Sequence, residues 1–193
     1  MSVDLALLGQ PMLDHEWERG LVDLLPLAEA HREAMRAICL PDDPVWPIYP
    51  ADLSGAGFDP YFDILLADPA RRAFAIVRDG LFAGTTSFLN IAPGRQTLEL
   101  GGTFMAQSER GSGLNSRMKP LMLARAFAAG FRRVEFRIDQ RNERSLAAVR
   151  KLGAVREGVL RAERITWTGH VRDTVMLSIL AEEWAERHFS SAS

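Results

Sequence analysis

The stretch QTLELGGTFMAQSERGSGLN, residues 96–115, decides the fold, because a strand pattern leads through a glycine-rich loop into the start of a helix. Between residues 96 and 106 the side chains alternate as they do in a β-strand. The two expected faces are Thr97, Glu99, Gly101 and Thr103 on one side, and Leu98, Leu100, Gly102 and Phe104 on the other. The adjacent glycines predict a β-bulge within this strand.

Downstream of this stretch, apolar spacing predicts two helices, each followed by a strand. Residues 112–129 carry an apolar stripe at helical spacing that ends at Gly130, and Pro120 inside this helix predicts a kink. The next elements are a strand at residues 133–138, a helix from Asn142 to Leu152 before Gly153, a hairpin of residues 155–167 and 171–180, and a helix at residues 181–189.

Upstream, residues 73–77 and 81–89 form a predicted hairpin around Asp79 and Gly80. The more distant elements are an irregular arm at residues 1–20, a strand at 21–25, a helix at 28–38, an irregular proline-rich segment, and a short helix at 58–67. An antiparallel meander that leads into two helical crossovers predicts an α/β fold. Its sheet is expected to be mixed, mostly antiparallel, and covered by helices on both faces.

Composition limits the class of protein. A chain of 193 residues with 47% hydrophobic residues is expected to form one domain, residues 1–193. The net charge of −2 gives no general attraction to nucleic acid. No leader or membrane span is apparent, so we expect a cytoplasmic protein. Cys39 is expected to be a buried thiol, and the histidines lack metal-ligand spacing, so we predict no metal.

The loop of Arg110, Gly111, Ser112 and Gly113 lies where a strand gives way to a helix. Backbone N–H groups without helical partners point outward there, the helix dipole adds positive charge, and Arg110 supplies a full charge. Such a loop is suited to a diphosphate. The simpler alternative is a helix start with Ser112 as its cap. A P-loop and a Rossmann loop fit less well, because the lysine of the first and the third glycine of the second are missing.

Several ordered segments extend this pattern: the loop ERGSGLN, the run FRRVEFRIDQRNERSLAAVRKLGAVREGVLR at residues 131–161, and VRDTVMLSIL at 171–180. Together they resemble the Gcn5-related N-acetyltransferases (GNAT), and most closely the ribosomal-protein N-terminal acetyltransferase (RimJ/RimL-like) branch. The resemblance covers residues 70–184 well and 18–38 loosely, and it leaves residues 40–68 unmatched. It implies a domain core at 18–184, with 40–68 as a variable segment on the substrate side.

The resemblance implies a binding site for acetyl-CoA. The sheet would splay between the strands at 96–106 and 133–138, with the pantetheine arm in the gap. The implied cofactor contacts are the backbone of Phe104, Met105 and Ala106, the amides of Arg110, Gly111, Ser112, Gly113 and Leu114, and the side chains of Asn115 and Asn142. One position departs from the family motif: Ser108 stands where Arg or Gln is usual, which puts one polar contact in doubt.

The chemistry of amine acetylation needs a proton acceptor and a proton donor. We expect Glu99 to be the base, with Asp139 and Glu135 as weaker competitors. The alternative for Glu99 is a solvent-facing carboxylate paired with an arginine. The resemblance makes Ser145 the acid toward the thiol sulfur, whereas Asn142 is also a candidate N-cap of its helix.

These observations predict an N-acetyltransferase in which a primary amine attacks acetyl-CoA directly, without a covalent enzyme intermediate. The amine acceptor is a small molecule or a protein N-terminus, and a homodimer is left open. The alternative is a catalytically silent acyl-CoA sensor or interaction module of the same fold. Trp46 and Tyr49, in the unmatched segment, are expected in the core, with the lining of a pocket as the alternative. Trp167, Trp184 and Phe189 are expected in the core or an interface.

Overall fold

The structure is a computed structural model that describes residues 2–189, with side chains to residue 187. One eight-stranded sheet organises it, in the order β1-β2-β3-β4-β5-β6-β8-β7. The strands are β1 Met12–Asp14, β2 Val22–Pro26, β3 Arg72–Arg78, β4 Leu81–Ala92, β5 Thr97–Met105, β6 Arg133–Asp139, β7 Val155–Ile165 and β8 Val171–Leu180. Only β5 and β6 pair in parallel within this sheet of the described residues. The mixed, mostly antiparallel sheet is therefore confirmed.

Helices cover both faces of the sheet, as expected. They are α1 Leu5–Leu8, α2 Arg32–Ile38, α3 Phe58–Ala67, α4 Leu114–Ala128, α5 Glu143–Lys151 and α6 Ala181–Phe189. The irregular arm predicted at residues 1–20 is wrong, because this segment contains α1 and the edge strand β1. Asp4 caps α1 through its carboxylate, and β1 extends the sheet beside β2. The predicted helix at 28–38 begins as a 3-10 turn and becomes α2 at Arg32.

Two apolar cores flank the sheet. One lies under α1, α4, α5 and α6 and contains Leu8, Met118, Met122, Val149 and Trp184. The other lies under α2, α3 and the proline-rich segment and contains Met35, Cys39, Trp46, Tyr49, Phe62 and Phe104. We call these two sides the α4 face and the α3 face.

Several predictions about single residues are decided by this packing. Trp46 stacks on Phe104 with ring centroids 5.1 Å apart, and Tyr49 is buried beside it, so both belong to the core as predicted. Cys39 is buried as predicted, and burial raises the pKa of its thiol to about 12. Trp167 is not in the core, since 48% of it is exposed. Predictions for the side chain of Phe189 and for residues 190–193 lie outside what the structure describes.

The predicted bulge is present in β5 and changes which residues share a face. Ser87 of β4 pairs with Gly101 and Thr85 pairs with Phe104, so the single residue Thr86 opposes both Gly102 and Thr103. Gly102 adopts a φ of +58°, which favours glycine. The extra residue shifts the alternation beyond it. Phe104 therefore shares the α3 face with Glu99, whereas Thr103 bonds Thr86, whose hydroxyl reaches Met122 of α4. The predicted faces of Thr103 and Phe104 are thus wrong.

The helix after the glycine-rich loop begins slightly later than predicted. Gly113, with a φ of +96°, is the N-cap of α4. Ser112 stands one residue earlier, and its Oγ accepts a hydrogen bond from Leu114 N at 3.2 Å. Pro120 lies inside α4, and the kink expected there stays a prediction.

Candidate active site

The centre of the sheet opens into a gap between β5 and β6. These parallel strands pair only where Thr97–Glu99 meets Arg133–Glu135, and they diverge beyond that point. Gly101, Gly102 and Thr103 are partly exposed although they lie in a central strand, whereas Leu98, Glu99 and Leu100 before them are buried. The closed end of the gap is therefore at Glu99, and its open end faces the loop before α4. This is the splay that the family resemblance implied.

The loop before α4 presents unpaired backbone donors at the open end of the gap. The amide of Ser112 bonds Glu109 O at 3.4 Å, and that of Leu114 bonds the Ser112 hydroxyl. Within the described part of the chain, the amides of Gly111, Gly113 and Asn115 have no hydrogen-bond partner. They precede or open a 15-residue helix, whose dipole adds positive potential at the same place. Three free donors at a helix start make this loop a candidate anion site.

Arg110 does not face this anion site with its charge, contrary to the sequence prediction. Its Nη1 and Nη2 bond the two oxygens of Asp43 at 2.6 and 2.5 Å, and the Asp43 side chain is fully buried. Its Nε and Nη2 also bond Met105 O at 3.0 and 2.9 Å. The Arg110 amide bonds Gln107 O at 3.3 Å. The charge is neutralised inside the fold because Asp43, in the segment that sequence reasoning left unmatched, packs against the loop.

A different arginine supplies an exposed charge at the loop. Arg19 Nη1 donates to Ser112 O at 3.1 Å and lies 3.3 Å from where a β-carbon at Gly113 would be. Arg78 fixes the backbone of Arg19 through a bond from Nη2 to its carbonyl oxygen at 2.9 Å. Sequence reasoning missed Arg19 because it lies 93 residues from Ser112, and no local pattern links them.

Phe104, Met105 and Ala106 form the β5 edge at the gap. Ala106 N bonds Ala83 O at 2.9 Å, so this residue's backbone points toward β4. Backbone groups alternate along a strand, so those of Met105 point the other way, into the gap. The two bonds from Arg110 fill the lone pairs of the Met105 carbonyl. The backbone N–H of Met105 is therefore free to bond a pantetheine amide, whereas its carbonyl oxygen is already occupied.

Glu99 lies at the closed end of the gap, on the α3 face. It is only 8% exposed, and Asn90 Nδ2 donates to its Oε2 at 2.7 Å. No arginine lies within 4.0 Å of its carboxylate among the described residues, so the alternative of a solvent-facing ion pair does not hold. Burial raises the pKa of Glu99, partly offset by the Asn90 bond and by more distant positive charge from Arg137 and Arg164.

The competing carboxylates are less suited to accept a proton. Burial favours the neutral form of Asp139, but hydrogen bonds from Arg141 outweigh it and lower the pKa of Asp139. Glu135 bonds Arg133 Nε at 2.8 Å. Arginine side chains therefore bond both of these carboxylates, whereas no arginine bonds Glu99, whose pKa is raised by burial.

Asn142 and Ser145 stand at the start of α5, just after β6 ends at the gap. Asn142 Oδ1 accepts a hydrogen bond from Ser145 N at 3.0 Å, which confirms that Asn142 caps this helix. The cap occupies the oxygen and leaves the Nδ2 donor of Asn142 for a ligand. The Ser145 hydroxyl is partly exposed and has no bond to any described residue.

Two further polar groups lie on the α4 face beneath the gap. Lys119 of α4 is buried and its ammonium lies 6.0 Å from the ring centroid of Phe136, the first β6 residue beyond the paired part. Asn115, one turn earlier, has a buried Oδ1 without a partner among the described residues. Sequence reasoning missed Lys119, since an isolated lysine in an apolar stripe gives no distinct signal.

No group of three or more potential metal ligands occurs among the described histidine, cysteine, aspartate and glutamate residues. None of the described helices has the length and apolar character to cross a membrane.

A helix start with free amide donors at the mouth of a gap between two parallel strands is suited to a ligand that has a phosphate group at one end and an extended chain along the strands. The family model of the GNAT acetyltransferase domain matches residues 22–155, well over half of the chain. The chain therefore belongs to the GNAT acetyltransferase family. No curated protein matches it.

Solved structures agree with this assignment. A protein of T. thermophilus that carries an acetyltransferase assignment is 37% identical, with 89% of this chain and 94% of that chain covered and a TM-score of 0.76. A probable GNAT acetyltransferase from Chromobacterium violaceum ATCC 12472 is 25% identical, with 90% and 91% covered and a TM-score of 0.79. RimJ of Mycobacterium smegmatis, solved with CoA-disulfide, is 23% identical, with 94% and 92% covered and a TM-score of 0.77, and it shares the fold.

Proposed function

We propose that this protein transfers an acetyl group from acetyl-CoA to a primary amine by direct attack of the amine on the thioester. One observation carries the proposal: the unpaired amides of Gly111, Gly113 and Asn115 stand at the open end of a gap whose closed end holds Glu99. A diphosphate at these amides with pantetheine along residues 104–106 directs the thioester toward Gly102. Arg19 adds the charge that Arg110 does not provide.

In this arrangement each polar residue has a defined role. The carbon–nitrogen bond forms as the amine attacks the thioester carbonyl, and the carbon–sulfur bond breaks. Glu99 takes the proton that the amine loses, directly or through one water. The Ser145 hydroxyl protonates the departing thiolate, and Asn142 Nδ2 holds the pantetheine arm. The site needs no enzyme nucleophile, and Cys39 is unsuited to that role because burial keeps its thiol protonated.

The raised pKa of Glu99 fixes the direction of the pH dependence. A base works in its deprotonated form, so kcat/KM should rise with pH through the pKa of Glu99. Because burial raises that pKa, this acid limb should lie above the range of ordinary exposed glutamates.

The proposal also concerns the branch of the family and the amine acceptor. RimJ was solved with CoA-disulfide, whereas spermidine N-acetyltransferase of Vibrio cholerae, 15% identical with a TM-score of 0.71, was solved with CoA and spermine. At these identities each comparison bears on the fold alone, so the acceptor remains a small-molecule amine or an N-terminus.

The test combines CoA binding with turnover. Calorimetry should detect CoA binding that weakens in Arg19→Gln, and release of free thiol from acetyl-CoA should depend on an added amine. Glu99→Gln keeps the Asn90 contact and should lower kcat/KM by about 100-fold, while Ser145→Ala should lower it by at least about 10-fold. Glu186→Gln, an exposed change on α6, is the matched control. CoA binding without thiol release for any amine would instead indicate a silent acyl-CoA sensor.

A further inference from the structure

The α3 face around the bulge contains an unusual concentration of buried polar atoms without partners. Six such atoms occur among the described residues, and four of them lie beside the bulge: Arg71 Nε and Nη1, Thr85 Oγ1 and Ser87 Oγ. A fifth, Arg172 Nε, lies on β8, 4.0 Å from Asp139 Oδ2. Folded proteins satisfy nearly all buried polar groups, so each exception calls for an explanation such as an absent ligand. Concentration at one place points to one ligand.

Their geometry centres on Gly102. A β-carbon at Gly102 would lie 3.6 Å from Arg71 Nη1 and 3.7 Å from Ser87 Oγ. A β-carbon at the neighbouring Gly101 would lie 3.0 Å from Glu99 Oε1. The guanidinium of Arg71 and the carboxylate of Glu99 therefore stand over two consecutive glycines, both partly exposed. Because neither residue has a side chain, both charged groups come close to the backbone of β5 here.

The charge balance here favours an anion rather than a polycation. Arg71 has one carboxylate neighbour, Asp68, whose Oδ2 lies 3.7 Å from its Nε and so does not form a hydrogen bond. The other arginines near Glu99 are already matched, since Arg137 and Arg164 both bind Glu163. The donors that remain unmatched are thus mainly those of Arg71, with the hydroxyls of Thr85 and Ser87 beside them.

Resting on the proposed function, we propose that the acceptor is a small amine with a carboxylate a few bonds from its nitrogen, as in an amino acid. Arg71, Ser87 and Thr85 bind the carboxylate by hydrogen bonds, which places the amine nitrogen over Gly101 beside Glu99. A protein N-terminus has an amide in place of that carboxylate, and a polyamine has a cation there. Both leave Arg71 Nε and Nη1 without a charged acceptor, so both are disfavoured acceptors.

The first experiment compares matched amines. Turnover is measured with the common amino acids, their carboxamides and their decarboxylated amines as alternative acceptors. At least one amino acid should be preferred over its two counterparts, and Arg71→Gln should raise its KM by about 30-fold, as expected for a charge-assisted contact. The KM of the carboxamide and the affinity for CoA should not change. Arg156→Gln, an exposed arginine on β7, is the matched control.

A second measurement separates a ligand-binding role from a structural one. If the hydroxyls of Thr85 and Ser87 lack partners in the free protein, Thr85→Val and Ser87→Ala should leave the melting temperature unchanged or raise it. Each should still raise the KM of the preferred amino acid by about 5-fold. A lower melting temperature with an unchanged KM would show that the hydroxyls serve the fold, and would overturn the proposal.

The outcomes distinguish the acceptor proposal from the proposed function. If carboxamides or polyamines are acetylated as well as amino acids, the acceptor proposal fails and the acetyltransferase stands. If CoA binds but no amine releases thiol, the proposed function fails. In that case the calorimetric affinity of amino acids for the CoA-bound protein still tests the carboxylate site. Binding that Arg71→Gln abolishes supports the site, and the absence of binding overturns it.

Discussion

At the scale of single residues, Lys119 is a buried charge that destabilises the folded state. Its side chain is 5% exposed and lies over Phe136, with no hydrogen-bond or ion-pair partner among the described residues. Burial alone lowers its pKa from 10.5 to about 8. At neutral pH the ammonium is charged in the folded and the unfolded chain, so the folded state carries the whole desolvation cost.

Replacing this lysine by an apolar residue of similar length should therefore stabilise the protein. We expect Lys119→Met to raise the free energy of unfolding at pH 7 by about 1 to 3 kcal/mol. The gain should be complete below pH 8, where Lys119 is charged in the folded and the unfolded chain. It should shrink between pH 8 and pH 10.5, because Lys119 then loses its proton in the folded state first and the wild-type protein becomes more stable as pH rises. Urea unfolding at pH 7 and 9.5 measures it.

The exposed Lys151 on α5 provides the control, and Lys151→Met should change the free energy of unfolding by less than about 0.5 kcal/mol. A clear loss of stability in Lys119→Met at pH 7 would contradict the prediction. It would mean that the ammonium contributes a favourable contact to the folded state.

Arg110 and Arg19 show that the direction of a side chain can be harder to predict from the sequence than the local loop to which it belongs. The glycines and the helix start are local, so the anion loop could be predicted from residues 110–115. The direction of each arginine is not local, because it depends on Asp43 and Ser112, which lie 67 and 93 residues away from their partners. The sequence thus predicted the loop and the helix start, whereas the direction of Arg110, toward Asp43, could not be predicted from it.

At the scale of elements, the contact between β4 and β5 depends on a glycine. Gly84 pairs with Met105 and has a φ of +153°, and a β-carbon there would lie 2.1 Å from Phe104 O. No side chain fits at that distance from backbone. The close approach holds residues 104–106, the strand segment expected to bind pantetheine, in place.

We expect Gly84→Ala to be strongly destabilising. Gly80→Ala is the matched control, because Gly80 also has a positive φ, +79°, but has nothing within 4 Å of a β-carbon. Gly80→Ala should cost about 1 kcal/mol of unfolding free energy for its backbone alone. Gly84→Ala should cost at least about 2 kcal/mol more and weaken CoA binding. Equal costs in urea unfolding would show that β4 can move away from β5 without penalty.

Element prediction from the sequence succeeded where a pattern is local and failed where it is interrupted. The bulge at Gly101 and Gly102 was predicted from the paired glycines, but the alternation was carried through it unchanged, so Thr103 and Phe104 were assigned to the wrong faces. The strand β1 was missed because an edge strand of three residues is too short to show a period.

At the scale of the whole molecule, residues 43–47 connect parts of the chain that are distant in sequence. Asp43 binds Arg110 before α4, the Trp46 carbonyl accepts from Trp167 Nε1 at 3.1 Å, and the Pro47 carbonyl accepts from Arg141 Nη2 at 3.2 Å. These contacts come from both sides of the gap. The sequence indicated only an irregular segment, because its order comes from these long-range partners and from the core around Phe104.

The Asp43–Arg110 pair is the strongest of these connections, and its loss should lower the free energy of unfolding of the whole protein. Burial alone would raise the pKa of Asp43, but the hydrogen bonds from Arg110 outweigh it and lower that pKa below 3.8. The pair therefore stabilises the protein above pH 3.8, and its contribution is lost as pH falls through the lower folded-state pKa.

Removing one partner should cost more than removing both. Asp43→Asn leaves the Arg110 charge buried without its counterion and should lower the free energy of unfolding by about 3 kcal/mol at pH 7. In the double variant Asp43→Asn with Arg110→Met no unpaired charge remains, so the loss should be clearly smaller than in Asp43→Asn alone. Urea unfolding of the two variants and of each single change measures this coupling. Additive losses would show that Arg110 is held by Met105 O alone and that residues 43–47 are not fastened to the anion loop through this pair.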